Sequence, residues 1–239
     1  MKILHVADLH LRWFDWLVAN ARRYDLLVIA GDLQDGFSLM PRHRQAKLCT
    51  EWLLSMQTPT VVCSGNHDFW PKDERVSVDT AAEGGWLRRL RGHGAIAGTD
   101  GDAITVEDVS IAVKGWAQSQ RLVDPADIVV THAPPTGCDS ARSNSQDFGD
   151  PNLASSWGAI PPLLLLCGHA HQPNSLWSHW PAGTTTTLVL VPGCDLDAPV
   201  PAYWEINTET AVARHSSGCE VSFRRIFGDA KCGGRDAVP

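Results

Sequence analysis

Five short apolar runs in this chain each stop at a cluster of carboxylate, amide or imidazole side chains. Ile3-Leu4-His5-Val6-Ala7 ends at Asp8-Leu9-His10, and Leu26-Leu27-Val28-Ile29-Ala30 ends at Gly31-Asp32-Leu33-Gln34-Asp35. Thr60-Val61-Val62-Cys63 runs through Ser64 into Gly65-Asn66-His67-Asp68. Ile128-Val129-Val130-Thr131 ends at His132, and Leu163-Leu164-Leu165-Leu166-Cys167 ends at Gly168-His169-Ala170-His171. Short continuous apolar runs read as strands buried on both faces. In an open α/β sheet, ligands bind beyond the carboxyl ends of the strands. The pattern therefore sets the residues of the clusters side by side along one edge of the fold.

Trp13 to Arg23 and Arg42 to Met56, between the first three runs, have helical spacing. The order βαβαβ implies a largely parallel sheet with right-handed crossovers. The second half is richer in strands. Ala103 to Lys114 reads as a hairpin about Glu107-Asp108. Thr187 to Val191, Ala202 to Ile206 and Ala211 to Arg214 are expected to complete a second sheet, with a hairpin turn at Asn207-Thr208-Glu209-Thr210. Two sheets flanked by helices make a four-layer α/β/β/α sandwich. Ala133 to Pro162 is the one long irregular stretch, between two motif histidines. Loops of this length are functional or disordered, so it is expected at the cleft edge or as a lid, with a solvated excursion as the alternative. Residues 1–227 are expected to form one domain and 228–239 a mobile tail.

The net charge of -7 argues against a general affinity for nucleic-acid phosphates. The N-terminus is too interrupted for a signal peptide, and Pro161 and Pro162 break the longest apolar run well short of a membrane span. The seven cysteines are odd in number and widely spread, which fits free thiols in a reducing cytoplasm. Cys63 and Cys167 read as small buried core residues. Ten tryptophans are expected in the core and the cleft wall. Trp13, Trp70 and Trp116 stand near a motif or a glycine, where a base or aromatic leaving group could stack, and nothing selects among them.

The cluster residues are a mixed, fairly hard ligand set that suits Mn, Fe or Zn better than a thiolate site does. Together they suffice for two adjacent divalent ions, an arrangement for in-line displacement at phosphorus. Asp8 and His10 are two apart, so one turn can aim both at one ion. Asp32 is the natural bridge, since a carboxylate can give one oxygen to each ion. Asn66 offers a neutral oxygen beside an anionic substrate, and His169 and His171 can reach different ions from one loop. Glycines 31, 65 and 168 allow the turns between them. His67 is free to protonate a departing alkoxide or to stabilise phosphoryl charge, with Asp68 on its other ring nitrogen. Water between two dications supplies the nucleophile. Asp35 is expected to support the ligands, with an ordinary solvated turn as the alternative. His5, His43, His93, His179 and His215 have no partner pattern and read as non-ligands.

Asp8-x-His10, Gly31-Asp32-x-x-Asp35, Gly65-Asn66-His67-Asp68, His132 and Gly168-His169-x-His171, in this order, resemble the calcineurin-like metallophosphoesterases over residues 1 to 206. The resemblance implies the same sandwich. It implies one ion held by Asp8, His10, Asp32 and His171, and another by Asp32, Asn66, His132 and His169. It also makes His67 the catalytic histidine and Asp68 its partner. His132-Ala133-Pro134-Pro135-Thr136-Gly137 is similar to small bacterial phosphodiesterase-like members. Phe69-Trp70-Pro71 stands where cyclic-nucleotide phosphodiesterases of the family often carry Arg, and Gly36-Phe37 follows Asp35 where protein phosphatases have Arg-Gly.

The expected function is therefore a dinuclear metal-dependent hydrolase of phosphodiesters or phosphomonoesters, with Mn as the expected metal. Its substrate would be a small-molecule or nucleotide phosphoester, with no membrane and no general nucleic-acid partner. The alternatives are a catalytically weak metal-binding scaffold or regulatory protein of the same fold, and a DNA nuclease. The nuclease branch carries a long extra capping region, for which this chain has too few residues. Retention of His67 favours the enzyme, because a scaffold need keep only the ligands. Oligomeric state has no signature in the sequence.

Overall fold

The computed structural model describes residues 1–68, 85–116, 126–153, 160–182 and 185–223. Strands β1 (Lys2–Val6), β2 (Leu26–Ala30), β3 (Thr60–Cys63) and β4 (Ile96–Gly98) lie parallel in that order. Helix α1 (Phe14–Asn20), continued by a 3₁₀ turn at Ala21–Arg23, links β1 to β2, and α2 (Arg42–Ser55) links β2 to β3. A short helix α3 (Gly85–Arg88) precedes β4. Both predicted helices are present, the first shortened by its 3₁₀ end.

Hairpin β5 (Ala103–Val106) and β6 (Val109–Lys114) forms where the pattern predicts it, and β6 pairs in parallel with β7 (Ile128–Thr131). A two-residue hairpin, β8 (Arg142–Ser143) and β9 (Gln146–Asp147), lies in the long irregular stretch. Then follow β10 (Leu164–Leu166), β11 (Trp177–Ala182) and β12 (Thr185–Leu190), giving a second sheet in the order β11-β12-β10-β7-β6-β5.

Two of the last three strands correct the sequence reading, which placed Ala202 to Ile206 and Ala211 to Arg214 in the second sheet. β13 (Trp204–Asn207), β14 (Val212–His215) and β15 (Glu220–Ser222) join the first sheet, in the order β15-β14-β13-β1-β2-β3-β4. Lys2 pairs antiparallel with Asn207 and His5 with Trp204. The physical reason is the free edge of β1, whose backbone groups would otherwise stand unpaired. The predicted turn does join β13 to β14, with the Asn207 side chain accepting from Glu209 N and Thr210 N.

Alternation along each strand divides the core. Leu26, Val28 and Ala30 of β2 face the second sheet and pack with Val113, Ile128, Val130 and Leu166. Leu27 and Ile29 face the helices and pack with Leu17, Cys49, Trp52 and Leu53. All five β2 residues are buried on one side or the other, which is why the run is continuously apolar. Each buried Leu, Val or Ile among them stabilises the fold by ~1.5–3 kcal/mol. In α2, Gln45, Ala46, Cys49, Trp52 and Leu53 make the buried stripe, and Trp52 stacks on Phe14 at 4.2 Å. The helix stops at Met56, which is extended, shortly before Pro59.

On the outer face of the second sheet, Cys138, Ala141 and Leu153 cover Leu165, Val189 and Val191. Among the described residues this layer is a 3₁₀ turn, Asp139–Ala141, and irregular chain. The segment is held by a partly buried ion pair, Lys114 Nζ donating to Asp150 Oδ2 at 3.1 Å. Cys49, Cys63, Cys138, Cys167, Cys194 and Cys219 are all free, with Cys63 and Cys167 fully buried at strand ends. Among the described residues no helix is long and apolar enough to cross a membrane. The expectations for Trp70, for Phe69-Trp70-Pro71, for Cys232 and for the tail from 228 lie outside the described residues, as do positions 154–159 of the irregular stretch.

His5 faces inward from β1 and is fully buried. Neither ring nitrogen has a well-formed hydrogen bond. Burial pushes its pKa down to about 3, outweighing the Cys167 backbone and the Asp8 charge, which pull the other way. A depressed histidine contributes stability that is present above the unfolded pKa of about 6.5 and lost as pH falls toward the folded value. Replacing His5 with Leu should therefore remove one acid-sensitive contribution. Between pH 7 and pH 5 the variant should gain ~2 kcal/mol relative to the parent. Urea unfolding of both proteins at the two pH values measures it, and a constant difference would rule out a buried neutral imidazole.

Candidate metal centre

The chain brings the loops after β1, β2, β3, β7 and β10 to one edge, across both sheets. The first two loops are zipped together by backbone bonds: Asp8 N to Gly31 O at 3.1 Å, His10 N to Asp32 O at 2.9 Å, Leu11 N to Leu33 O at 2.8 Å. The two sheets meet where His132 Nδ1 donates to Ala30 O at 2.7 Å and Gly168 N donates to His132 O at 2.8 Å. Gly31 is required there. Its φ is +84°, and a Cβ would strike the His132 ring and the Gly65 backbone.

Asp8 (φ 54°), His10 (45°), Asp32 (54°) and His169 (69°) all hold left-handed backbone conformations. Such strain costs on the order of 1–3 kcal/mol per residue and clusters at functional sites. Asp and His are among the residues that tolerate it best.

The side chains converge closely. His10 Nε2 and His171 Nε2 are 3.2 Å apart, and His171 Nε2 is 3.6 Å from Asp8 Oδ1. His132 Nε2 is 3.0 Å from Asn66 Oδ1 and 3.3 Å from Asp32 Oδ2. Asp32 Oδ2 lies 4.0 Å from His10 Nε2, so it stands between the two histidine groups. Two sets of ligand atoms come within 4.8 Å of one another: Asp8, His10 and His171, and Asp8, Asp32 and His132. Asp8 thus belongs to both, while its two oxygens accept from His169 N at 3.1 Å. The His169 ring lies beside that of His132, 5.0 Å between centroids.

These residues fit divalent metal ions. Ligands held at about 2.1 Å from an ion stand roughly 3.0–3.4 Å from each other, close to the spacings above. Carbonyl oxygens can only accept, so His132 Nδ1 toward Ala30 O and His10 Nδ1 toward Gln34 O, 3.2 Å, must carry the protons. In the neutral rings both Nε2 atoms are thereby left free to ligate.

The charges also favour a cation. Burial alone would lower the His132 pKa, but Asp32, hydrogen-bonded to it, and Asp8 hold it up at about 9. Burial alone would raise Asp32, yet His132 and His67 bring it below the usual carboxylate range. His169 falls to about 4, mainly from burial and the His132 charge. Burial lowers His10, whereas the bond to Asp8 raises His171.

The cluster residues reach the site unequally. Asp8, His10, Asp32, Asn66, His132 and His171 meet through their side chains, and His169 lies at the margin. Asp35 does not touch them: its Oδ1 accepts from Phe37 N at 2.8 Å within its own loop. Asp68 departs from its expected place against the His67 ring. Its oxygens accept from Gln34 N at 3.0 Å and Gly65 N at 2.8 Å, and the side chain is buried. Asn66–Asp68 form one 3₁₀ turn, in which successive side chains diverge by about 120°. The His67 ring faces Asp32 Oδ2 instead, at 3.9 Å. Burial raises the Asp68 pKa to about 7, with the Asp32 charge adding to it.

A cleft of about 330 Å³ opens over the centre. Besides candidate ligands it is lined by His67, Ser143, Phe148 and Gln172, so the irregular stretch does form a cleft edge. No Lys or Arg is among the described lining residues. Trp116 stands over the His169 side, its ring 5.0 Å from His169 and 5.6 Å from His132. Trp13 turns away, its Nε1 donating to Ala198 O. Sequence reasoning did not single out Ser143, Phe148 or Gln172, because an irregular segment has no periodicity that says which residue faces inward. It also passed over Asp100, whose buried carboxylate accepts from Ser64 N and Oγ beneath the Asn66 turn.

The family model of calcineurin-like phosphoesterases matches residues 1–173. The chain belongs to this family. No curated protein matches its sequence significantly. One crystal structure superposes with a TM-score of 0.59 at 12% identity, covering 94% of this chain and 98% of the other. A Thermus thermophilus protein superposes with a TM-score of 0.50 at 15% identity, covering 86% and 93%. A structure described as an archaeal phosphodiesterase gives 0.46 at 16% identity, over 93% and 99%. At these identities the first two likenesses speak for the fold. Family membership and the convergent donor set make this a metal-dependent phosphoesterase in class.

Proposed function

We propose that the protein hydrolyses small phosphodiesters or phosphomonoesters with two divalent ions, Mn foremost, and that the diester is the better substrate. The observation that carries the reading is Asp32 Oδ2, set between the His10 and His132 nitrogens at 4.0 and 3.3 Å with His67 at 3.9 Å on the cleft side. When bound, the ions would neutralise phosphoryl charge and acidify the attacking water. Asp8, His10, Asp32 and His171 would hold one, and Asp32, Asn66, His132 and His169 the other. Asp8, shared by both close-packed sets, supports a second contact from that carboxylate.

The chain's own groups do the rest. Asn66 presents a neutral oxygen, so charge does not accumulate beside the substrate. His67 stands at the cleft wall, able to give a proton to the departing ester oxygen. With a net charge of -7, little besides the ions would attract further phosphates. That favours one phosphoryl group with two organic arms over a polyphosphate or a nucleic-acid strand. Phe148 and Trp116 offer an apolar wall for one arm. The odd number and wide spread of the cysteines support a reducing cytoplasm.

The test is hydrolysis of bis(nitrophenyl) phosphate and nitrophenyl phosphate by metal-stripped protein, with Mn, Fe or Zn added back. Restoration by metal, with the diester cleaved faster, is the expected result. Tight metal binding without turnover of either ester would favour the scaffold instead.

A further inference from the structure

With Asp68 turned inward, the His67 imidazole, whose side chain is 21% exposed, meets Asp32 Oδ2 at 3.9 Å and the His10 ring at 5.1 Å, and something further must hold it. The segment after Asp35 does so. Arg42 Nη1 donates to His67 O at 2.6 Å. A Cβ built on Gly36 would land on His67 Nδ1 and Cε1, and within 3.2 Å of the other Arg42 nitrogen. The Gly36 backbone is thus seated against the edge of the imidazole, where a side chain has no room. The Phe37 ring flanks it at 5.7 Å between centroids.

The segment is itself fixed from below. The buried Gln45 side chain accepts from Asp35 N at 2.8 Å and donates to Asp35 O at 3.1 Å and Met40 O at 2.7 Å. Asp35 Oδ1 and Ser38 Oγ accept from Phe37 N and Met40 N. This is more order than a solvated turn needs, and its contact face is the His67 ring.

We propose that the Gly36–Arg42 segment is the positioning element for His67, with Gly36 setting the ring's place and Arg42 anchoring its backbone. The inference rests on the phosphoesterase reading, and on His67 acting at the leaving group. A reacting group displaced by about 1 Å can lose on the order of 10²-fold in rate. Gly36→Ala should therefore lower turnover of alkyl or nucleotide esters by about 10²-fold, and that of nitrophenyl esters much less, with metal content unchanged. In a His67→Ala background the same substitution should cost nothing further, because Gly36 acts through the ring. Arg42→Met should show the same leaving-group pattern, and Arg42→Lys, which keeps a donor for His67 O, should recover part of the loss.

A second readout needs no turnover. In metal-free protein the His67 ring resonances should shift in Gly36→Ala while those of His215 stay in place. Losses that add to His67→Ala, or that fall equally on both ester classes, would overturn the assignment. Unmoved His67 resonances would overturn it too, whether or not the parent is active. A parent inactive on every ester would sink the functional reading, and with it the kinetic form of this proposal.

Discussion

Asp32→Ala should abolish ester hydrolysis. Asp32 Oδ2 lies within 4.0 Å of nitrogens from both histidine groups, as Asp8 Oδ1 does. Its loss would remove a carboxylate from each ion's ligand set at once. Ion-derived stabilisation of the transition state amounts to several kcal/mol, and each ~1.4 kcal/mol is a factor of ten. The expected loss is therefore at least ~10³-fold in kcat/KM. Ion content should drop at both positions. The fold should persist, because Asp32 lies at a strand end, outside the apolar clusters that hold the sheets. Asp32→Asn is the sharper variant. It tolerates the left-handed backbone and can still accept from His67 N, as Asp32 Oδ1 does at 2.8 Å, so only charge is removed. Elemental analysis beside kinetics decides the matter. Full retention of one ion and most of the activity in either variant would refute the shared-carboxylate arrangement.

His67→Ala should show its effect through the leaving group. An alkyl or nucleotide alkoxide leaves as a strong base and needs a proton, whereas nitrophenolate hardly needs one. General-acid help is worth ~10²–10⁴-fold, so losses on alkyl esters should lie in that range and losses on nitrophenyl esters far below it. Metal content should not change, since neither close-packed set among the described residues includes His67. Equal losses on both esters would assign His67 to phosphoryl charge instead. A loss of metal would place it among the ligands.

Both expectations were framed from motifs, and the structure altered one of their supports. Asp68 follows His67 in sequence, and adjacency suggested a dyad. The 3₁₀ turn sends consecutive side chains apart, so Asp68 ties the Asn66 turn to the Gln34 loop from inside. Gly36 and Arg42, 31 and 25 residues upstream of His67, meet it instead. A glycine's contact leaves no mark in composition or periodicity.

Local chemistry determined the rest of what the sequence could disclose. Continuous apolar runs of four or five residues specify strands buried on both faces, as β2 shows between its two core layers. Residue types at their ends specify hard, mixed ligation, and the order of the motifs specifies the family. Only the tertiary structure decided which sheet received β13 and β14, which residues of the irregular stretch reached the cleft, and what holds His67. Each of these depends on contacts between segments far apart in the chain. A strand's apolar pattern says that it must be covered but not by which neighbour, because hydrophobic burial is non-directional. The partner is chosen by which backbone edge remains unpaired once the parallel core has formed.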